Sequence, residues 1–231
     1  MSTLGIVPIR YSSTRLHNKT FRTVAGKLLI DWTIEAIRNS LLDDFVVMSS
    51  CSVVKHYCEE NNINIVVRPI GLESEVASVI DSICWLNDNP MWNSFSNQML
   101  LQVTNPTRTS DDIDNCLDLI DFDSVNSVCS VVDVGEFHPN RMYIPRMGNG
   151  LEPLTKDSQW GSTQRLPKLF LRDGSIYCWK VKAFTKDKCS SLLPERIMSY
   201  EIEPERSIRI DTFRDLWAAE KYLTTAVKSV S

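Results

Sequence analysis

Through the first 132 residues, short apolar runs alternate with helical patterns, and this alternation restricts the fold more than any other feature of the chain. Leu4–Ile9 is a compact apolar run of the kind that forms a buried parallel strand. Leu28–Ser40 follows a polar loop and repeats Leu29, Trp32, Ile34 and Ile37 at helical spacing. The same reading gives strands at Phe45–Met48, Ile63–Val67, Met99–Val103 and Ser127–Val132, with helices at Val53–Asn61, Glu75–Leu86 and Ser110–Ile120. Strand–helix alternation of this sort implies βαβ crossovers, hence an α/β fold with a doubly wound, mostly parallel sheet. Ser110, followed by Asp111 and Asp112, predicts a helix start with a capping side chain and acids placed favourably for the helix dipole.

The alternation breaks near Gly135. From there to Pro167 the chain carries His138, Pro139, Pro145, Gly148, Gly150, Pro153 and Gly161 without clear periodicity. A stretch of that length is no passive loop in a compact domain. Two readings remain open for residues 135–165: a small insertion that packs on a partner subunit, or a lid. Regular patterns return at Leu169–Trp179 and Arg196–Ile202, and Thr212–Val227 reads as an amphipathic helix. Residues 1–231 are therefore expected to form a single domain.

The net charge of −4 argues against a general binder of nucleic acid or anionic membrane. Yet residues 1–30 hold Arg10, Arg15, Lys19, Arg22 and Lys27 with no acid before Asp31. Charge alone leaves two readings open, a solvated basic face and a site for a small anion. The position of the loop from Arg10 to Lys19 favours the second. In open parallel sheets, ligands bind beyond the carboxyl ends of the strands, and this loop follows the first of them. It offers backbone N–H groups, three Ser/Thr hydroxyls and three cationic side chains to phosphate oxygens. No GxGxxG follows the first strand and no GxxxxGK[ST] occurs anywhere, which disfavours dinucleotide oxidoreductases and P-loop kinases. The seven cysteines form no CxxC pair and are expected to be reduced and buried. With no signal-peptide pattern and no membrane span, a cytoplasmic protein is expected.

Several segments, in order, resemble the CMP-sugar synthetases, the acylneuraminate and 3-deoxy-manno-octulosonate cytidylyltransferases. They are Gly5-Ile-Val-Pro-Ile-Arg10 with the loop to Lys19, Ala25–Ala36, Val67-Arg68-Pro69 with Glu75-Val-Ala-Ser78, and Leu101–Thr109. Asp173-Gly-Ser-Ile-Tyr177 and Ser207-Ile-Arg-Ile-Asp-Thr212 continue the match, so it covers nearly the whole chain. The resemblance implies a nucleotide-diphospho-sugar transferase-like fold, a small dimerisation insertion and a homodimer in which His138 or Arg141 reaches the partner's site. It also implies attack by the anomeric hydroxyl of a 2-keto-3-deoxy sugar acid on the α-phosphorus of CTP, giving a CMP-sugar and pyrophosphate. Arg10, Ser13, Arg15 and Lys19 match phosphate-binding positions. Arg68, Ala77 and Ser78 match the region that recognises cytosine and ribose. Gln102, Thr104 and Tyr177 match sugar-facing positions, Arg172, one residue past the family's arginine, is the fourth sugar-binding candidate, and Asp211 matches a ligand of Mg²⁺, the implied cofactor. Arg10, Lys19 and Asp211 are the catalytic candidates.

Each assignment has a plainer rival. Arg68 suits a strand end before proline, Tyr177 a core position, and Asp211 a helix cap. Gln102 fits either a backbone-satisfying role or a ligand contact.

Three departures stand out. Arg209 occupies the position of a second metal-binding aspartate and, on the same face of an extended segment, projects beside Asp211. Leu171 stands where the family has arginine, with Arg172 one residue later, a shift that turns the side chain to the opposite face unless a bulge corrects it. Ser49-Ser50-Cys51 replaces an acidic pair. A less common nonulosonic acid is thus as good a substrate candidate as sialic acid. A CTP- or sugar-binding relative with impaired turnover, and a transferase using another nucleotide, are the alternatives.

Overall fold

A computed structural model describes residues 1–10, 16, 18–72, 78–156, 166–184 and 191–230. Ser13, Arg15 and Ala77 lie outside the described residues. The chain begins with strand β1 (Thr3–Pro8), the short hairpin β2 (Thr23–Val24) and β3 (Lys27–Leu28), and helix α1 (Leu29–Arg38). There follow β4 (Asp44–Met48), α2 (Ser52–Glu60), β5 (Ile65–Val66), α3 (Val79–Asn87) and the single turn α4 (Pro90–Asn93). Then come β6 (Asn97–Leu101), α5 (Ser110–Ile120), β7 (Ser127–Asp133) and a small hairpin, β8 (Tyr143–Pro145) and β9 (Leu151–Pro153). The last elements are β10 (Phe170–Lys180), β11 (Ile197–Glu201) and α6 (Phe213–Val230).

Seven strands form one sheet in the order β11-β7-β10-β6-β1-β4-β5. Within it β10 runs antiparallel to both neighbours, and the other strand pairs are parallel. The expected doubly wound, mostly parallel sheet is therefore what the chain forms. Side-chain alternation along β1 explains why this strand is buried on both faces. Val7 and Ile9 pack with α1, α2, α5 and α6, whereas Leu4 and Ile6 pack with α3 and α4. Met99 and Leu101 of β6 join the first core, and Leu100 the second. Burial of such side chains removes about 1.5–3 kcal/mol each of exposed apolar surface, and the two cores clamp the sheet between helical layers.

Local chemistry sets the helix starts, and it corrects one boundary. The cap of α5 is Thr109, not Ser110: its hydroxyl accepts from Asp112 N–H at 3.2 Å, while Asp112 Oδ2 accepts from Thr109 N–H at 2.8 Å. Ser78 and Asp81 make the same reciprocal box, so α3 begins at Val79; Glu75, the expected start, lies outside the described residues. Between β2 and β3, Ala25 and Gly26 both have positive φ (49° and 82°), the backbone of a type I′ hairpin turn. The segment after Gly135 contains short 3₁₀ turns and the β8–β9 hairpin, which pairs outside the main sheet. Cys51, Cys58, Cys84, Cys116, Cys129 and Cys178 are free thiols, and all but Cys84 are buried. Among the described residues, no helix is long and apolar enough to cross a membrane.

Candidate functional site

Strand order reverses at β1, which has β4 on one side and β6 on the other. The crevice outside the carboxyl ends of β1 and β6 is thus the switch point where open α/β sheets bind ligands. Arg10 is exposed there, just beyond β1. Lys19 begins a short 3₁₀ turn, and its ammonium donates to the carbonyl of Ile210 at 2.9 Å and to Asp211 Oδ1 at 3.1 Å. The other carboxylate oxygen, Asp211 Oδ2, lies 3.3 Å from Arg209 Nε. Two cations therefore flank one largely buried carboxylate. Asp211 is not the cap of α6: Asp215 accepts from the N–H groups of Asp211 (2.9 Å) and Thr212 (2.7 Å), leaving the Asp211 side chain to the crevice.

The segment carrying Asp211 is fastened to the end of β6. Ile210 N–H donates to the Thr104 carbonyl at 2.8 Å, and the Thr104 hydroxyl donates to Asn105 Oδ1 at 3.0 Å and Gln102 Oε1 at 3.4 Å. Beneath them lies Arg108, fully buried, which donates to the carbonyls of Gln102 (3.2 Å) and Ser175 (2.9 Å). Burial pushes its guanidinium down to about 10, against the opposing pull of Asp112 and Asp173. Asp173 is also buried; Oδ1 accepts from the Ser130 hydroxyl and from Ser175 N–H. Burial raises the Asp173 carboxyl above its ordinary range, despite those hydrogen bonds and the charge of Arg108. Asn105, Arg108, Ser130 and Asp173 carry no sequence-level role, because their common destination depends on a distortion of β10.

That distortion is large. Arg172 pairs with Val131 and Tyr177 with Cys129, so five steps along β10 match two along β7. Gly174 supplies the turn with φ of +87°, in the left-handed region that glycine tolerates. A β-bulge of this kind re-aims the residues on either side of it. Arg172, exposed before the bulge, remains close enough to Tyr177 and Cys129 for its charge to act on both. Tyr177 is half-buried against Cys129, Val131 and Leu193. Burial raises its phenol, and Arg172 and Arg209 pull it the other way. Arg209 also runs past Gly174, its Cδ 3.5 Å from where a Cβ would stand. The bulge thus sets Arg172 and Arg209 where both act on Tyr177, and Arg209 links this group to Asp211.

Across β1 the arrangement differs. Ile9 N–H bonds to the Met48 carbonyl (3.0 Å), and Arg68 N–H to the next carbonyl, that of Ser49 (3.4 Å). The Arg68 side chain turns inward, buried, and donates to the Ser82 hydroxyl at 3.3 Å. Ser78 is exposed at the start of α3, engaged with Asp81.

One buried network is not legible in the residue spacing. Asp112 accepts both Arg206 Nη groups (2.7 and 2.8 Å), the Tyr200 hydroxyl (2.9 Å) and Thr109 N–H. Arg206 in turn bonds to Glu203 at 2.7 Å. This ties α5 to the segment leading into Asp211, although Asp112 and Arg206 are distant in sequence.

Among the described residues, no group of three His, Cys, Asp or Glu could hold a metal ion. Asp211 has both oxygens engaged by cations, one of them the guanidinium of Arg209 two residues away. Mg²⁺ asks for hard oxygen ligands in a near-octahedral set, so these residues do not fit a preformed Mg²⁺ site.

Residues 4–123 match the family model described as Cytidylyltransferase. The N-acylneuraminate cytidylyltransferase of Streptococcus agalactiae serotype III is 28% identical over 220 residues, covering 93% of this chain and 52% of that protein. The chain thus spans about half the length of the curated relatives it matches over most of its residues. A 3-deoxy-manno-octulosonate cytidylyltransferase of Fusobacterium nucleatum is 43% identical over 47 residues, 20% of this chain and 19% of that one. Among solved structures, a CMP:2-keto-3-deoxy-manno-octonic acid synthetase complexed with CTP superposes with a TM-score of 0.72 at 13% identity, covering 98% of this chain and 100% of that one. A 4-diphosphocytidyl-2C-methyl-D-erythritol synthase from Anaerococcus prevotii gives 0.66 at 11% identity, with 96% of each chain covered. At those identities the two structures establish the shared fold.

Proposed function

The chain belongs to the cytidylyltransferase family, and on that premise we propose that it couples CTP to a 2-keto-3-deoxy sugar acid. The observation that carries this reading is the Lys19 ammonium held over the β1–β6 crevice beside Asp211, within a cationic, acid-free approach from β1. The sugar hydroxyl oxygen bonds to the α-phosphorus, the bridging α–β oxygen leaves with pyrophosphate, and the hydroxyl proton is released. Phosphoryl transfer of this kind is catalysed mainly by positioning and by charge stabilisation. Arg10 and Lys19 are suited to the triphosphate, with Ser13 and Arg15 assigned to the same loop by the family pattern. Arg68, Ala77 and Ser78 are assigned to the base and ribose. Gln102, Thr104, Arg172 and Tyr177 are assigned to the acid, where a guanidinium beside a half-buried phenol suits a carboxylate and its hydroxyl-bearing ring. The names of the curated relatives, which act on acylneuraminate and 3-deoxy-manno-octulosonate, support an acidic sugar as acceptor.

Pyrophosphate release from CTP, measured with a panel of sialic, octulosonic and other nonulosonic acids, tests this reading. Release with at least one acid is expected. Arg209 favours a second reading, a CTP-binding relative with impaired turnover; CTP binding without release for any acid would favour it. The same reading includes a homodimer built on residues 135–165. Met147 is 99% exposed and Leu151 67%, and Phe137 and Tyr143 of the same segment are exposed as well, apolar side chains that a partner surface would cover. His138 adds a buried Nε2 that has no hydrogen-bond partner among the described residues. Light scattering should give the mass of two chains, and a single-chain mass at assay concentrations would refute the dimer.

A further inference from the structure

Asp211 is the crevice carboxylate through which a divalent cation would be expected to enter, yet both of its oxygens face cations. Lys19 Nζ lies 3.1 Å from Oδ1 and Arg209 Nε 3.3 Å from Oδ2, and the Asp211 side chain retains only 16% of its exposure. The Arg209 side chain is 56% exposed; its stem passes Gly174 at the β10 bulge, and its charge acts on Tyr177 as well as on Asp211. The three side chains together carry one net positive charge, which attracts a polyphosphate and repels a divalent cation. The Lys19 and Arg209 ends also differ in kind. Lysine is a point charge on a flexible stem that can leave a carboxylate for competing phosphate oxygens, whereas Arg209, two residues from Asp211 on the same extended segment, stays beside it when Lys19 moves.

We propose that Lys19, Asp211 and Arg209 form a cation clasp that admits the nucleotide triphosphate first: Asp211 is closed to divalent cations until the triphosphate draws Lys19 away. Arg209 is then a positioning residue that keeps Asp211 from acting as a preformed metal ligand, and any divalent cation arrives with the phosphates. This inference rests on CTP as the ligand.

The test uses Mn²⁺ as a paramagnetic probe of the full chain, together with CTP titrations in excess chelator. The wild-type chain should bind CTP in chelator and should show no bound Mn²⁺ without nucleotide. Arg209→Asp, which places a second carboxylate two residues from Asp211, should bind Mn²⁺ without nucleotide at least about tenfold more tightly than wild type and should lose about tenfold in chelator-phase CTP affinity. Arg209→Gln removes the charge without adding a ligand; it should shift both affinities in the same directions by less, and it guards against misfolding of the Asp variant. Nucleotide-free Mn²⁺ binding to wild type as tight as to Arg209→Asp, or CTP binding to wild type only when Mn²⁺ is present, would overturn the clasp while leaving the CTP reading intact. Failure to bind CTP both with and without Mn²⁺ would overturn the CTP reading and the clasp with it.

Discussion

Replacing Asp112 by alanine is expected to destabilise the chain by about 3–5 kcal/mol, the range for removing one partner of a buried ion pair. The Asp112 carboxylate is 1% exposed and accepts four hydrogen bonds, two of them from Arg206, whose side chain is 17% exposed. Without it both Arg206 Nη groups lose their carboxylate, leaving the guanidinium Glu203 at its Nε, and the Tyr200 hydroxyl and the N–H of the cap residue Thr109 lose their acceptor. Glu203 lies at the surface and does not replace the buried, two-pronged carboxylate, so the loss should exceed that of a typical surface ion pair several-fold. Thermal or urea unfolding of Asp112→Ala against wild type measures it; a difference below about 1 kcal/mol would contradict the network.

The same carboxylate gives stability a direction in pH. Burial alone would raise it, but Arg206, Thr109 N–H and Tyr200 outweigh burial and hold it below the usual carboxylate range. Its folded value is therefore lower than its unfolded value of about 3.9. The stabilisation is fully present above the unfolded value and is lost as pH falls through the folded one. Asp112→Asn should flatten the acid limb of the stability profile in that window.

The second large effect is kinetic. Lys19→Ala is expected to lower kcat/KM for CTP by about 10²–10³, the scale for losing one preorganised donor at developing negative charge. Its stability should change by no more than about 1 kcal/mol, because Asp211 keeps Arg209 and the segment keeps its backbone bond to Thr104. Lys19→Arg should recover only part of the rate, since a planar fork does not reproduce a compact ammonium. A Lys19→Ala variant within about threefold of wild type would remove Lys19 from the phosphate site.

Why some of this was legible in the sequence, and the rest was not, follows from the range of the forces involved. The runs at Leu4–Ile9 and Phe45–Met48 identified themselves because a strand buried on both faces must be apolar throughout. The basic loop after β1 was legible because charge sign and chain position are both local properties. Ser78 and Thr109 show the limit of that locality: each cap is fixed by its own reciprocal hydrogen bond, so a boundary moves by one or several residues from the apolar pattern. The pairing of Arg209 with Asp211 was within reach, since alternate residues of an extended segment share a face. The second cation on Asp211 was not, because Lys19 arrives from the other end of the chain. Near Arg172 the sequence raised a bulge only as one alternative and left its size open, a surplus of β10 over β7 held where Ser130 and Ser175 donate to Asp173. No periodicity encodes a surplus of that kind, and the arrangement of Arg172, Tyr177 and Arg209 depends on it.

The most direct test of the central claim is nucleotide choice: competition binding among CTP, UTP, ATP and GTP, followed by pyrophosphate release with each nucleotide and the acid panel. A site of the proposed kind should prefer CTP and release pyrophosphate from it with an acidic sugar present. Preference for any other nucleotide, in binding and in release, would contradict the account.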